Sequence, residues 1–430
     1  RALVVLGGAF WVFGEREEAC GAKVGEPMGA GGGSSDVVPT YTVSPVEGLR
    51  NALGELGNAQ TNVQLILVDD ANSSATVDGK PGSFAEALAL AGAADAVVVM
   101  AGTISEEGAD RAPFTNASGK QLAEPAARGS GLDWYAHRGN QIAITSGDNA
   151  AKDSGTTAML DRLLAARTSD GTPMAAKTVL VLKDNAGPAL PASLVGRQGP
   201  AIVETWFPGQ EDGNIVADVL FGRVNPSGKL PVTMPLVGRG FLDSIDAAQF
   251  PGVAANGGKD QAVTYSEQLA IGYRWYDQQA GGKCQVRRGR NGCVAFPFGH
   301  GLSYTQFNLG KPRLAYDAGS GTWRATVRVT NTGQRAGAEV VQAYLSLPPS
   351  ANAGRAKQPP KRLVGFQRLE LAPGASGEAS IAIDPAASNH PLSVWDQAQG
   401  KWVVPQGNFT LWLGRSSSPA DLAKAGTIRR

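Results

Sequence analysis

The chain has almost no net charge to act through: 39 Lys and Arg stand against 38 Asp and Glu in 430 residues. That balance leaves no electrostatic basis for binding nucleic acid or an anionic membrane. Histidine is scarce. His137, His300 and His390 are the three in the chain, too scattered for a histidine-based metal site, and each reads as structural. Cysteine is equally scarce, so three residues give no disulfide framework. Cys284 and Cys293 flank a short Arg/Gly-rich stretch that one bridge would close, leaving Cys20 over; two free thiols are the competing reading. No uninterrupted apolar run approaches the ~20 residues of a membrane helix. The chain opens without initiator Met, charged leader or cleavage site, inside the apolar run Ala2 to Leu6, so the expectation is a piece of a longer polypeptide.

Glycine and proline are plentiful, with 56 and 26 residues, and loops should be many. The length suits two or three domains, each with a core of its own. The glycine-rich stretch Met28 to Ser35 invites a nucleotide-binding reading, but no strand runs into it and no helix follows.

Short apolar runs alternate with helical patterns through the first half. Ala2–Leu6, Gln64–Val68, Ala96–Met100, Thr178–Leu182 and Ala201–Trp206 read as buried strands. Ser44-Pro45-Val46-Glu47 and Ser83-Phe84-Ala85-Glu86 are helix starts, with a capping serine and a glutamate three residues on. Thr156–Ala166 and Asn214–Leu220 are further helices. Continuously apolar strands between helices predict a mostly parallel sheet covered on both faces, an α/β three-layer sandwich. From Gly222 to about Thr305 the pattern breaks into Pro- and Gly-rich segments, and then the period becomes two. Trp323–Val329, Val340–Leu345, Ala379–Ile383 and Phe409–Leu413 predict an all-β, fibronectin type III-like sandwich. The expected division is 1–237, 238–305 as a connecting segment packed on the first domain, and 306–430, with a frayed tail from Ser416.

The stretch that carries chemistry is Ser105-Glu106-Glu107-Gly108-Ala109-Asp110-Arg111, just past the Ala96–Met100 strand. Ligands of open α/β sheets bind beyond the carboxyl ends of the strands. A carboxylic acid there donates a proton to a leaving group when burial raises its pKa. The competing reading is a charged surface turn with Asp110 and Arg111 as a local ion pair.

Several ordered segments resemble family 3 glycoside hydrolases of the β-glucosidase type. They are Pro208–Asn214 with Ala217–Gly222, Asn225–Thr233, Tyr265–Glu267 with Ile271–Tyr276, Phe296–Tyr304, Val329–Gly333 and Leu363–Phe366. The resemblance covers most of the chain and implies a barrel domain upstream, which this chain lacks. It further implies hydrolysis with retention: a barrel Asp attacks the anomeric carbon and a Glu of the α/β domain is the general acid/base, the two carboxyl groups ~5 Å apart across the sugar.

By the same resemblance, the Ser-x-Glu-Gly-x-Asp-Arg-like loop places the acid/base at Glu107, with Asp110 and Arg111 bracing the loop and Glu106 on a variable position. Asp133, in Leu132-Asp133-Trp134, lacks the preceding serine of the family's nucleophile motif and lies on the wrong side of the loop. Trp134 and Tyr135 are candidates for stacking on sugar, with packing as the alternative. No cofactor or metal is implied. The expected function is the C-terminal part of a retaining, exo-acting β-glucosidase or β-glucan exohydrolase, inactive alone, acting on β-linked glucosides or gluco-oligosaccharides and exported to the periplasm or beyond. The alternatives are a non-catalytic carbohydrate-binding or scaffolding piece, or part of a β-xylosidase of the same family.

Overall fold

The structure, a computed structural model, describes residues 2–8, 40–58, 60–69, 74–103, 160–184, 187–246, 248–249, 252–258 and 260–430. They divide into two compact units, 1–223 with 242–264, and 224–241 with 265–430. The segment expected to connect the domains is therefore split between them. Leu242–Thr264 groups with the α/β unit, and Tyr265 onward groups with the β-sandwich.

In the first unit, β1 (Ala2–Gly8), β2 (Asn62–Asp69), β3 (Ser74–Val77), β4 (Lys80–Ser83), β5 (Ala96–Thr103), β6 (Thr178–Asp184) and β7 (Ala201–Glu204) form one sheet, in the order β4-β3-β2-β1-β5-β6-β7. The pairs β2–β1, β1–β5, β5–β6 and β6–β7 are parallel. The β3–β4 hairpin adds an antiparallel edge. Its turn is Asp78-Gly79, both left-handed at φ 46° and 79°, which is the Asp-Gly signature of a tight two-residue hairpin.

Helix α1 (Pro45–Glu55) starts at Ser44, whose hydroxyl accepts from the Glu47 N–H at 3.3 Å. Helix α2 (Phe84–Ala93) starts at Ser83 with a reciprocal capping box to Glu86. Both cap predictions rest on short polar side chains satisfying orphan N–H groups. Val46, Leu49, Ala52 and Leu53 of α1 pack with Val216 and Ala217 of helix α3 (Asp212–Leu220) over Val63, Val98, Met100 and Val181 of the sheet. Strand residues alternate sides, so the buried Ile66, Val97, Val99 and Leu180 face the opposite layer. Burial on both faces explains why these strands read as unbroken apolar runs. Residues 160–165 are helical, with Leu160 and Leu163 buried, within the helix expected over Thr156–Ala166.

Where α1 and α3 cross there is no room for a side chain. A Cβ on Gly48 would sit 2.1 Å from the Gly213 carbonyl, and one on Gly213 would sit 2.0 Å from the Ser44 oxygen. The Gly213 N–H donates to Val43 O at 2.8 Å and the Val43 N–H donates to Gln210 O at 2.8 Å. These contacts fix the start of α3, and with it Asp212.

The second unit holds two four-stranded sheets packed face to face, among the described residues. One contains Phe307–Leu309, Arg313–Asp317, Thr322–Asn331 and Ser376–Ile383; the other contains Gly337–Ser346, Arg362–Leu371, Asn408–Gly414 and Leu422–Arg429. Ala325, Val327, Val329, Ala379 and Ile381 from the first meet Val341, Ala343, Leu345, Phe409, Leu411 and Leu413 from the second. The period-two pattern thus buries one face of each strand, as predicted.

The expectation of a frayed tail is corrected. Leu422–Arg429 is an edge strand in register with Asn408–Gly414, and Ile428 is fully buried. It carries little apolar alternation because Gly426 lies against Leu314, where a Cβ would come within 2.7 Å of the leucine Cβ. The pair also slips register between Leu411 and Trp412, which breaks the period a sequence reading depends on.

Cys284 and Cys293 are bridged, with Cα atoms 5.0 Å apart. The bridge is buried beside Trp275, Tyr276 and Ala270. Cys20 lies outside the described residues.

Candidate functional site

Glu106, Glu107, Asp110, Arg111, Asp133, Trp134 and Tyr135 lie outside the described residues. The rim from which their segment departs is described. Strand β5 ends at Thr103, two positions before Ser105, and its neighbours are β1 and β6. The register pairs Gly102 with Lys183 and Thr103 with Asp184, while Leu182 pairs with Glu204 on β7. The carboxyl ends of three adjacent parallel strands therefore converge on one ledge. Asp212, the first residue of α3, joins it.

Two pairs of ionisable groups sit there, on opposite faces of the sheet, because Lys183 and Asp184 are successive strand residues. Lys183 and Asp212 form an ion pair with side chains 4% and 0% exposed. Burial pushes the Lys183 ammonium down to about 7, and Asp212 is its ion-pair partner. Asp212 Oδ1 has no hydrogen-bond partner among the described residues. The other two groups are carboxyls. Burial raises Glu204 to about 9, and the Asp184 charge adds to it. Glu204 Oε1 accepts the Trp206 N–H at 2.8 Å. Burial first, and the neighbouring Asp184 charge second, thus keep Glu204 protonated at neutral pH.

The ledge thus gathers a buried ion pair and a carboxyl that burial holds protonated. Sequence reading passed over these residues because the apolar signal of β6 stops at Leu182. The available signal was Lys183-Asp184 closing a buried strand, together with the acidic Glu211-Asp212 pair at a helix start. His300 is structural: it stacks on Phe296 at 5.3 Å, and burial lowers its pKa. His390 stacks on Trp402 at 4.5 Å. His137 lies outside the described residues.

A seven-stranded, mostly parallel α/β sheet followed by a β-sandwich, with an acidic ledge at the strand ends, is the architecture of a catalytic or ligand-binding domain with an appended module. The chain belongs to glycosyl hydrolase family 3: residues 9–304 match the Glycosyl hydrolase family 3 C-terminal domain. Residues 339–417 match the Fibronectin type III-like domain.

Beta-glucosidase B of Emericella nidulans is 37% identical over 219 residues, covering 50% of this chain and 24% of the relative. A beta-glucosidase of Rhizobium radiobacter is 38% identical over 218 residues, covering 50% of this chain and 24% of the relative. Among solved structures, beta-glucosidase 3B from Thermotoga neapolitana in complex with alpha-D-glucose superposes with a TM-score of 0.64 at 26% identity, covering 99% of this chain and 50% of that one. A beta-glucosidase from Streptomyces venezuelae in complex with D-glucose shares the fold, with a TM-score of 0.67 at 22% identity over 99% of this chain and 56% of that one. The chain thus spans about a quarter of those curated relatives and about half of those solved chains.

Proposed function

We propose that this chain is the C-terminal part of a retaining, exo-acting β-glucosidase whose general acid/base is Glu107. The observation that carries the reading is the family match through residues 9–304, which includes the acidic loop directly after a central parallel strand. The named relatives are beta-glucosidases, which favours glucosides over xylosides. The unmatched half of the solved relatives supports a barrel domain elsewhere in the polypeptide, supplying the nucleophile. The buried disulfide supports an exported, oxidising location, periplasmic or secreted.

In this reading Glu107 protonates the leaving oxygen during glycosylation and then takes a proton from water during deglycosylation. An exposed Glu near ~4.3 is too acidic for the first task, so exclusion of water by barrel and substrate raises it. Asp110 and Arg111 hold the loop, and Trp134 and Tyr135 offer faces to outer sugar units.

The test uses the polypeptide that carries the barrel. Glu107→Ala loses about 100-fold or more in activity on poor leaving groups. With a good aryl leaving group, which needs no protonation, azide replaces water in deglycosylation, restores turnover and yields the β-glycosyl azide, while Glu106→Ala stays near wild type. A large loss and rescue in Glu106→Ala instead would move the assignment to that residue. The 430-residue chain alone should hydrolyse aryl β-glucosides no faster than its Glu107→Ala variant.

A further inference from the structure

The β-sandwich unit carries an aromatic corner that its core does not use. Trp395 and Trp402 stand directly opposite each other in the hairpin of Val394–Asp396 and Lys401–Val403, and are 49% and 47% exposed. Their rings meet edge to face, with centroids 5.6 Å apart and planes at 75°. His390 lies nearly parallel to the Trp402 ring, 4.5 Å away at 20°. The three rings form a wall and a floor.

The corner is held in place from behind. His390 adopts φ 47°, a left-handed conformation that non-glycine residues keep only when their surroundings enforce it. Its N–H donates to Ala387 O at 2.9 Å, and Arg362 Nη2 donates to Pro391 O at 2.6 Å and Ser393 O at 2.8 Å. Asp396, buried under the hairpin, accepts from Arg355 Nε at 3.1 Å and Nη2 at 2.6 Å, and from the Gln399 N–H at 3.0 Å. The rings are therefore presented without an ordering cost on binding, which is what preorganisation supplies.

The surroundings select the ligand. Asn389, Gln397, Gln399 and Lys401 are exposed nearby in the chain. The exposed large apolar surface of the hairpin is the two indoles, with Val404 beside them. Flat aromatic faces ringed by amides and an ammonium suit a ligand with an apolar C–H face and a hydroxyl edge. A β-linked glucose unit has that shape, because its hydroxyls are equatorial and both ring faces are C–H.

We propose that the Trp395, Trp402 and His390 corner binds β-linked glucan chains by stacking. The sugar class rests on the function proposed above; the site rests on the corner's own geometry.

Affinity electrophoresis of the 430-residue chain in gels cast with soluble mixed-linkage β-glucan, with dextran as the comparison, tests it. The chain is expected to be retarded by β-glucan and not by dextran. Trp402→Ala and Trp395→Ala should each weaken binding by about tenfold, while Trp402→Phe keeps most of it. Thermal unfolding of each variant confirms that it is folded. Retardation should be unchanged in Glu107→Ala. Binding therefore persists even if the acid/base assignment fails, and an active enzyme without retardation refutes this site alone.

Absence of retardation overturns the proposal, as does full retardation of both folded alanine variants. Equal retardation by dextran overturns the β-linked assignment. Concentration-dependent dimerisation abolished by Trp402→Ala, without glucan binding, would make the corner a contact between two copies instead and likewise overturn it.

Discussion

At the ledge of the α/β sheet, Lys183, Asp184 and Asp212 are crowded out of water, Glu204 is half-buried, and Asp212 Oδ1 finds no hydrogen-bond partner among the described residues. In the β-sandwich, Asn331 is just as buried, yet all four of its bonding positions are used. Its amide donates to Arg335 O at 2.7 Å and Leu371 O at 3.0 Å, and its oxygen accepts from the Thr305 hydroxyl at 2.7 Å and the Gly333 N–H at 3.1 Å. Gln342 behaves alike, donating to Gly299 O at 3.0 Å and Arg415 O at 2.8 Å and accepting from the Tyr344 hydroxyl at 2.6 Å. Neutral, fully bonded amides staple loops to strands at little electrostatic cost. Buried charges with incomplete partners cost stability and shift pKa values, as at chemically active rims. The contrast sets buried charge in the first unit against bonded amides in the second.

The sharpest way to break that contrast is Lys183→Met. It leaves the Asp212 carboxylate buried without its cation and should cost the α/β unit about 3–5 kcal/mol, read as a fall in its unfolding midpoint in urea. A smaller loss, under 1 kcal/mol, would show that Asp212 simply takes up a proton.

Asn331→Ala tests the stapled side. Four partners, two of them buried, lose their bonds together, for about 3 kcal/mol, visible as a lower Tm of the sandwich with the α/β transition unmoved. Next is Cys293→Ser. Opening the bridge to Cys284, nine positions away, frees a short loop in the unfolded chain and should cost about 2–3 kcal/mol by the chain-entropy account; calorimetry with and without reductant checks it.

Taken per unit of pH, the smallest effect comes from titrating Glu204. Glu204 is raised to about 9 in the fold, against ~4.3 in the unfolded chain. The native state therefore keeps a proton that the unfolded state releases. The stability linked to that proton is fully present below pH ~4.3, declines as pH rises, and levels off once pH passes the folded value near 9. Glu204→Gln, which cannot ionise, should flatten this decline, a change of at most about 1.4 kcal/mol per pH unit. Tm measured at pH 5, 7 and 9 for both proteins gives the slope; parallel slopes would place the proton elsewhere.

Much of the architecture was legible in the residues themselves. Unbroken apolar runs spaced by capped helices determine a sheet covered on both faces, because a strand buried twice has no polar side. The Ser83–Glu86 box was readable because capping chemistry is local to four residues. Alternation from Trp323 to Val329 determined the sandwich, since the pleat sends alternate side chains inward. The Ser105–Arg111 loop was readable as a candidate from its chemistry and family likeness.

Other features were decided only by the fold. Gly337–Ser346 is buried on nearly every residue, because Tyr273 meets Tyr344 edge to face and Gly299 accepts from Gln342 on what would otherwise be an outer face. Cys284 and Cys293 could have been two thiols; the cluster with Trp275 and Tyr276 holds them together. The tail became a strand by pairing with residues some fifteen positions back, across a register slip. Lys183 meets Asp212 only because two glycines let α1 and α3 touch backbone to backbone. In each case the deciding energy comes from groups outside the segment itself. Periodicity reports which face of a segment is apolar, and a partner supplied by another segment decides whether the remaining face stays in water.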